Sequence, residues 1–171
     1  ISGPLDPIAF RLANVLVGNP ENTGALEIRL LGPTLRIETE CVRVALCGTT
    51  TPLEILGAEA RIIPSWRSVL LPLGSIFRIG ALKDTSCCYL AVEGGFDVPS
   101  VLGSQSTFAR GALGGFHGRA LEPGDRVPLC RSDAASRRDV RLANPPDPDR
   151  GAPIRVVLGP QNDYFDAASI E

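Results

Sequence analysis

Ser104, Gln105, Ser106 and Thr107 place three hydroxyls and a carboxamide in four consecutive positions behind Gly103. Side chains of these types, with backbone N–H groups bent by a glycine, suit an anion-binding nest. Arg110 and Arg119 follow in the same stretch, and a guanidinium pairs with carboxylate or phosphate through a planar fork. The plainer reading is that these groups only satisfy the loop's own backbone, and residue types alone do not separate the two. All of them lie in one segment, YLAVEGGFDVPSVLGSQSTFARGALGGFHGRALEPGD, from Tyr89 to Asp125. So much glycine lets a ligand or a partner's backbone come near. A long loop without helix or strand pattern is usually functional or disordered. The flanking Leu90, Val92, Phe96, Val98, Val101 and Leu102 argue for order.

A second polar set sits near the start of the chain: Asp6, Asn14, Asn19 and Glu27. Asp6 reads most simply as a helix cap. Asn14 falls in a helical pattern with apolar neighbours and needs a partner, backbone or ligand. Glu27 interrupts an apolar strand pattern, where an unpaired carboxylate would be costly, so it faces outward or pairs with Arg.

Familiar catalytic patterns are missing. His117 is the sole histidine, which excludes a His-rich metal site and HExxH. Ser104 or Ser106 could in principle join it in a triad, but no GxSxG elbow exists. In its glycine-rich setting His117 reads equally as a ligand contact or as plain exposure. Residues 111–118 carry glycines without the Lys of a phosphate loop and without a following helical pattern. Five cysteines lack CxxC spacing, which argues against zinc or a disulfide framework and for a reducing, cytoplasmic setting. Cys41 and Cys47 read as small core residues.

With 171 residues, 44% hydrophobic and 21% charged, the chain has the make-up of a globular protein. A net charge of -2 argues against nucleic-acid binding, which needs a basic face. No apolar run reaches the roughly 20 residues of a membrane helix. Of seventeen basic residues only Lys83 is lysine, which codon bias explains as well as any function.

The elements that must position these groups are mostly strands. One helix is expected after Asp6-Pro7, with Asp6 as cap and Pro7 at the first helical position. Ile8, Leu12, Val15 and Leu16 share its expected buried face, and Gly18 stops it. Strands are expected over 25–31, 33–38, 41–47, 62–63, 69–73, 76–79 and 87–93, with a hairpin tip at Gly57-Ala58-Glu59. Glu122-Pro123-Gly124-Asp125 fits a type II turn. Eighteen Gly and fifteen Pro among short strands indicate an all-β fold, and a barrel is favoured over a sandwich. The expected organisation is a β-barrel domain over 1–143, a Pro-rich connection over 144–153 and the start of a second domain over 154–171. The last piece is read as a strand at 154–158 and a helix capped by Asp166, cut short by the end of the chain.

Five segments in this order, GPLDPIAFRLANVLVGNP, ALEIRLLGPTLRI, YLAVEGGFDVPSVLGSQSTF, GGFHGRALEPGD and IRVVLGPQNDYF, resemble a known family. It is the biotin-dependent carboxyltransferase family that includes the C subunit of bacterial ATP-dependent 5-oxoprolinase (KipA-like, also called allophanate hydrolase subunit 2). The resemblance covers almost the whole chain and implies a cyclophilin-like β-barrel. It also implies hetero-oligomeric work with the A and B subunits of that enzyme, the latter KipI-like, opening 5-oxoproline to glutamate with ATP. The ligand it implies is a small lactam or carboxylate. Carried onto matching positions, it marks Asp6, Asn14, Asn19, Glu27, Gly103, Ser104, Ser106, Thr107 and Arg119 as substrate-binding, with Gly118 and Asp125 beside them. The resemblance names no catalytic residue and no metal. Leu5 stands where the family usually has Met, and Gln105 where it often has Arg, which moves any anion site towards Arg110 or Arg119. Two alternatives follow from the same resemblance. One is the carboxyltransferase domain of a biotin-dependent urea carboxylase. The other is a regulatory protein gripping a KipI-like kinase inhibitor.

Overall fold

A computed structural model describes residues 3–146, 153 and 157–170. Its first element, α1 (Pro7–Leu16), is fixed at both ends by its own sequence. The Asp6 carboxylate accepts from the N–H groups of Ile8 and Ala9, and Pro7 has no N–H to orphan. At the other end Gly18 N–H donates to Val15 O and Asn19 N–H to Asn14 O, with Gly18 at φ +75°. This pair of bonds is a Schellman motif.

The buried face of α1 matches the expected one in part: Leu16 is buried and Leu12 packs against the core, but Ile8 and Val15 do not. Ala9, Ala13, Leu16 and Val17 are buried, whereas Ile8 and Val15 are exposed. Small residues won because the helix lies close on a sheet: a Cβ on Gly48 would sit 3.1 Å from that of Ala9. Bulk at the contact would hold the two apart.

Eight strands follow: β1 (Leu26–Arg29), β2 (Thr34–Arg36), β3 (Cys41–Cys47), β4 (Leu53–Leu56), β5 (Arg61–Ile63), β6 (Ser68–Pro72), β7 (Ile76–Ile79) and β8 (Cys87–Val92). They form two antiparallel sheets, in orders β1-β8-β3-β6 and β2-β7-β4-β5. Backbone pairing continues round the corner between them, where Gly32 N–H donates to Gly80 O and Leu82 N–H to Leu30 O. At the opposite flank Gly74 N–H donates to Ile37 O and Leu73 N–H to Glu40 O. The all-β, barrel-like expectation therefore holds, as do the hairpin tip at Gly57 and the turn at Glu122, where Asp125 N–H donates to Glu122 O and Gly124 has φ +96°.

One core fills the space between the sheets, with Val44, Leu46, Leu71, Phe77, Ile79 and Leu90 all but inaccessible. The alternate residues of β3 and β8 (Ala45, Cys47, Cys87, Tyr89, Ala91) form a second cluster under α1. The first sheet is thus covered on both faces, so β3 and β8 read as unbroken apolar runs instead of alternating ones. Arg43 is the exception in β3, 1% exposed and facing away from the main core. Its guanidinium meets Glu93 at 2.6 Å and Asp139 at 3.0 Å, and donates to the carbonyls of Ala135 and Arg137. This cluster fastens the returning segment 132–141 to the barrel.

Of the expected final strand, residues 154–156 and most of the Pro-rich connection lie outside the described residues. Val157 and Leu158 belong to no strand and are exposed. Asp166 does cap α2 (Ala167–Ile170), accepting from Ser169 N–H at 2.9 Å. Among the described residues no helix is long and apolar enough to cross a membrane.

Truncating Arg43 removes the close cation of the buried Glu93 carboxylate and leaves it only Arg137, at 3.9 Å. Arg43→Ala is expected to lose about 3–5 kcal/mol of folding stability by chemical denaturation. Glu54→Ala, at an exposed pair with Arg78, is expected to lose about 1 kcal/mol or less.

Candidate functional site

Asp6, Asn14, Asn19 and Glu27 do gather on one side of the barrel, but they bond to the protein itself. Asn14 is fully buried and its amide donates to the carbonyls of Phe10, Glu21 and Thr23. Asn19 donates to Asn14 Oδ1 at 3.0 Å and to Val92 O at 2.8 Å, and accepts from Gly94 N–H at 2.8 Å. Glu27 is exposed, one of the two expected outcomes, and pairs with no arginine among the described residues. It accepts from the Tyr89 hydroxyl at 2.8 Å and from Leu5 N–H at 3.3 Å, while Tyr89 itself accepts from Asp6 N–H. Burial pushes the Tyr89 phenol well above its ordinary value, and the carboxylate beside it adds to the shift, so Tyr89 stays a donor to Glu27. Tyr89 is the member of this set that the sequence reading missed. Its period-two placement on β8 beneath α1 was the available signal.

Residues 103–107 are ordered by their own bonds. Ser104 exchanges backbone hydrogen bonds with Val101 in both directions, and its hydroxyl accepts from Ser106 N–H at 3.1 Å. Phe108 N–H goes to Leu113 O. Two of the backbone donors expected to form a nest here, those of Ser104 and Ser106, are therefore taken. Gln105 is a strut: its amide donates to Val98 O at 2.9 Å, and a Cβ on Gly24 would lie 2.7 Å from its Oε1. It links the loop to the segment that follows Asn19.

The glycine run 111–118 folds back onto 103–107. A Cβ on Gly115 would fall 1.8 Å from Thr107 Oγ1, and Gly115 has φ +54°, so only glycine fits on both counts. Arg119 grips Asp125 through two bonds of 2.7 and 2.9 Å, and its Nη1 also donates to Ala120 O. The fork from Arg119, with Glu122 N–H, holds the Asp125 carboxyl far below the usual carboxylate range. Arg119 thus fastens the end of the excursion and is not free to grip a ligand with both nitrogens. Arg110, on the 3-10 turn Ala109–Gly111, makes no ion pair among the described residues.

A cleft of about 320 Å³ opens where the two limbs of the excursion meet. Asp97, Val98, Pro99 and Val101 form one part of its lining, residues 114–118 another, and Pro128 completes it. None of the nine residues expected to bind substrate is in that lining. Arg119 adjoins it through Gly118, and its guanidinium lies 6.0 Å from the Phe116 ring. His117 is held with φ +57° and its ring packs edge-on against Phe116 at 4.2 Å. Among the described residues no group of three or more His, Cys, Asp or Glu could hold a metal ion. Cys88 and Cys47 are poor nucleophile candidates too, since burial pushes Cys88 up to about 12 and Cys47 higher still.

An antiparallel barrel with a capped helix on one sheet and a glycine-built cleft at its rim defines a carboxyltransferase-type domain. The chain belongs to the family described as "Carboxyltransferase domain, subdomain A and B", whose model matches residues 1–171. It is 44% identical over 179 residues to urea amidolyase of Saccharomyces cerevisiae, covering 99% of this chain and 10% of that protein. It is 38% identical over 173 residues to the C subunit of 5-oxoprolinase from Escherichia coli, covering 98% of this chain and 52% of that protein. The crystal structure of TTHA0988 superposes with a TM-score of 0.73 at 34% identity, over 85% of this chain and 52% of that one. The chain therefore spans about half the length of the 5-oxoprolinase relative and a tenth of the urea amidolyase.

Tyr89→Phe removes one hydroxyl that serves both Asp6 and Glu27, and is expected to cost about 1–2 kcal/mol by thermal or chemical denaturation. Asp125 has a depressed carboxyl, so its contribution is complete above the ordinary carboxylate range and fades as pH falls through and below it. Asp125→Asn should therefore flatten the acid limb of the stability profile and leave its neutral-to-alkaline shape unchanged.

Proposed function

We propose that the chain is the C subunit of an ATP-dependent 5-oxoprolinase, working with the A and B subunits of that enzyme. The observation that carries this reading is the 38% identity to a protein of that name across 98% of the chain. In support, the cleft is small, largely apolar in lining and provided with backbone donors, which suits a compact ring bearing polar groups. We further propose the division into a barrel over 1–143, a connection over 144–153 and a second domain beginning at 154.

Opening an unactivated lactam needs negative charge stabilised on the amide oxygen, and preorganised N–H groups supply that in a site shielded from water. The Arg119–Asp125 fork holds the limb that carries these groups. In this reading Arg119 is a positioning residue, and Ser104 sets the facing limb through its turn. The described donors do not fit a triphosphate. Neither lysine nor arginine lines the cleft, and the adjoining Arg119 is committed to Asp125, so no free cationic side chain meets the charge of a triphosphate there. Binding of ATP is therefore assigned to the partner subunits.

A second reading is favoured by a different observation, the 44% identity to urea amidolyase. In it the same cleft would face a biotin-borne carboxyl group and urea. Both substrates present a planar amide, so the barrel alone suits either.

Reconstitution with homologues of the other two subunits separates the readings. The expected result is ATP-dependent formation of glutamate from 5-oxoproline that requires all three proteins. Arg119→Ala should lower kcat/KM by about 10- to 100-fold through misplacement of the loop, with the acid-stability profile changing in parallel. Carboxylation of urea by a biotin-loaded partner, without glutamate formation, would establish the second reading instead.

A further inference from the structure

Arg67 and Arg141 face each other across an isolated antiparallel bridge, where the returning segment runs beside β6. Ser68 N–H donates to Val140 O and Leu142 N–H to Trp66 O, so the two arginines form the non-hydrogen-bonded pair between those bonds. At such a pair the Cα atoms lie about 4.5 Å apart and both side chains leave on the same face. Like charges directly opposite destabilise a sheet. An acidic neighbour would relieve this, yet neither arginine makes an ion pair or a side-chain hydrogen bond among the described residues.

Burial adds to the conflict. Arg67 is half-buried, and its Nε is shut off from solvent with no acceptor among the described residues. A charged donor left unmet in such a place is costly. The other such atom, Nη2 of Arg137, belongs to a guanidinium that has Glu93 at 3.9 Å. Arg61 and Arg138 also lack an ion pair among the described residues, but both are exposed, where water serves them. Trp66, immediately before Arg67, packs against the cluster under α1 with φ +62°. Positive φ is unfavourable for a bulky side chain and persists where the surroundings fix it. Here Leu46 O and Leu142 N–H hold both backbone groups of Trp66. A strained residue thus sets the path that brings Arg67 opposite Arg141.

We propose that Arg67 and Arg141 form a site for a single phosphate group. Each guanidinium presents a planar fork, and a tetrahedral oxyanion has oxygens enough for two forks, whereas a carboxylate is filled by one. The negative charge offsets the repulsion within the pair, and the Arg67 Nε–H gains its acceptor. Neither residue lines the rim cleft, so this site is separate from it and independent of the ring-opening reading. Free phosphate and the end of a small phosphate ester share the group that the pair recognises.

Trp66 is the sole tryptophan and adjoins Arg67, so its fluorescence reports on the site. The full chain is titrated with inorganic phosphate, glycerol 2-phosphate and acetate at constant ionic strength, which removes general screening as a cause. A saturable change is expected with phosphate, with acetate at least about tenfold weaker. Binding of glycerol 2-phosphate as tightly as phosphate assigns the site to esters as well; its exclusion restricts the site to the free ion. Arg141→Gln, at an exposed position, should weaken phosphate by about tenfold or more. Arg141→Lys keeps the charge without the fork and should restore only part of the loss. Arg61→Gln, an equal loss of charge elsewhere, should leave binding unchanged. Phosphate should also raise the thermal midpoint of the wild type more than that of Arg141→Gln, since only bound ligand adds to its general salting effect. No saturable change in the wild type, acetate binding equal to phosphate, equal midpoint shifts, or full binding in both Arg67→Gln and Arg141→Gln overturns the proposal.

Discussion

One carboxamide joins the parts of this molecule that matter. Asn19 receives the N–H of Gly94 and donates to the carbonyl of Val92, gripping the chain where it leaves β8. Through its other N–H it is tied to Asn14, itself buried and bonded to three carbonyls around the end of α1. Helix, connecting segment and the root of the glycine-rich excursion are thereby held by a network of partly buried bonds centred on the fully buried Asn14. In such surroundings an unmet amide costs far more than in solvent, so the three pieces settle together or not at all. The cleft inherits its position from this joint.

The joint works because the helix is pressed against a sheet with little room to spare. Ala9 and Ala13 let α1 sink onto β3 and β8, which in turn forces those strands to be apolar on both sides. The cost is an apolar outer stripe, Ile8 and Val15, left facing solvent on the helix. A helix placed by close approach does not need every bulky residue inward: Phe10, Leu12 and Leu16 pack against the sheet, while Ile8 and Val15 stay outward.

Charge is divided between two jobs. Arg43 with Glu93 and Asp139, and Arg119 with Asp125, are closed pairs that fasten loops to the barrel. Asp97 and His117, in contrast, line the cleft without a hydrogen-bonded partner among the described residues. A side chain already held by two bonds has little left for a ligand, and the uncommitted ones are where recognition is to be sought. The same distinction applies to backbone. Residues 104 and 106 spend their N–H groups inside their own turn, whereas those of 114–117 do not.

Much of this was legible from local pattern. Asp6-Pro7 and Gly18 mark the ends of α1, Cys41–Cys47 and Ile76–Ile79 show themselves as strands, and Pro123-Gly124 makes its turn, because caps, turns and short strands depend on neighbours in sequence. Kinship was legible too, from the order of several short segments. What tertiary structure alone decided is the pairing of distant groups. Nothing near Glu27 in the chain announces Tyr89, sixty-two residues away, as its partner. Nor does the run Ser104 to Thr107 reveal that the N–H groups of Ser104 and Ser106 are consumed in its own turn while those of Gly114 and Gly115, further along the same loop, meet no acceptor among the described residues. Sequence names the polar groups that a loop contains; which of them remain unspent depends on how the chain folds back upon itself.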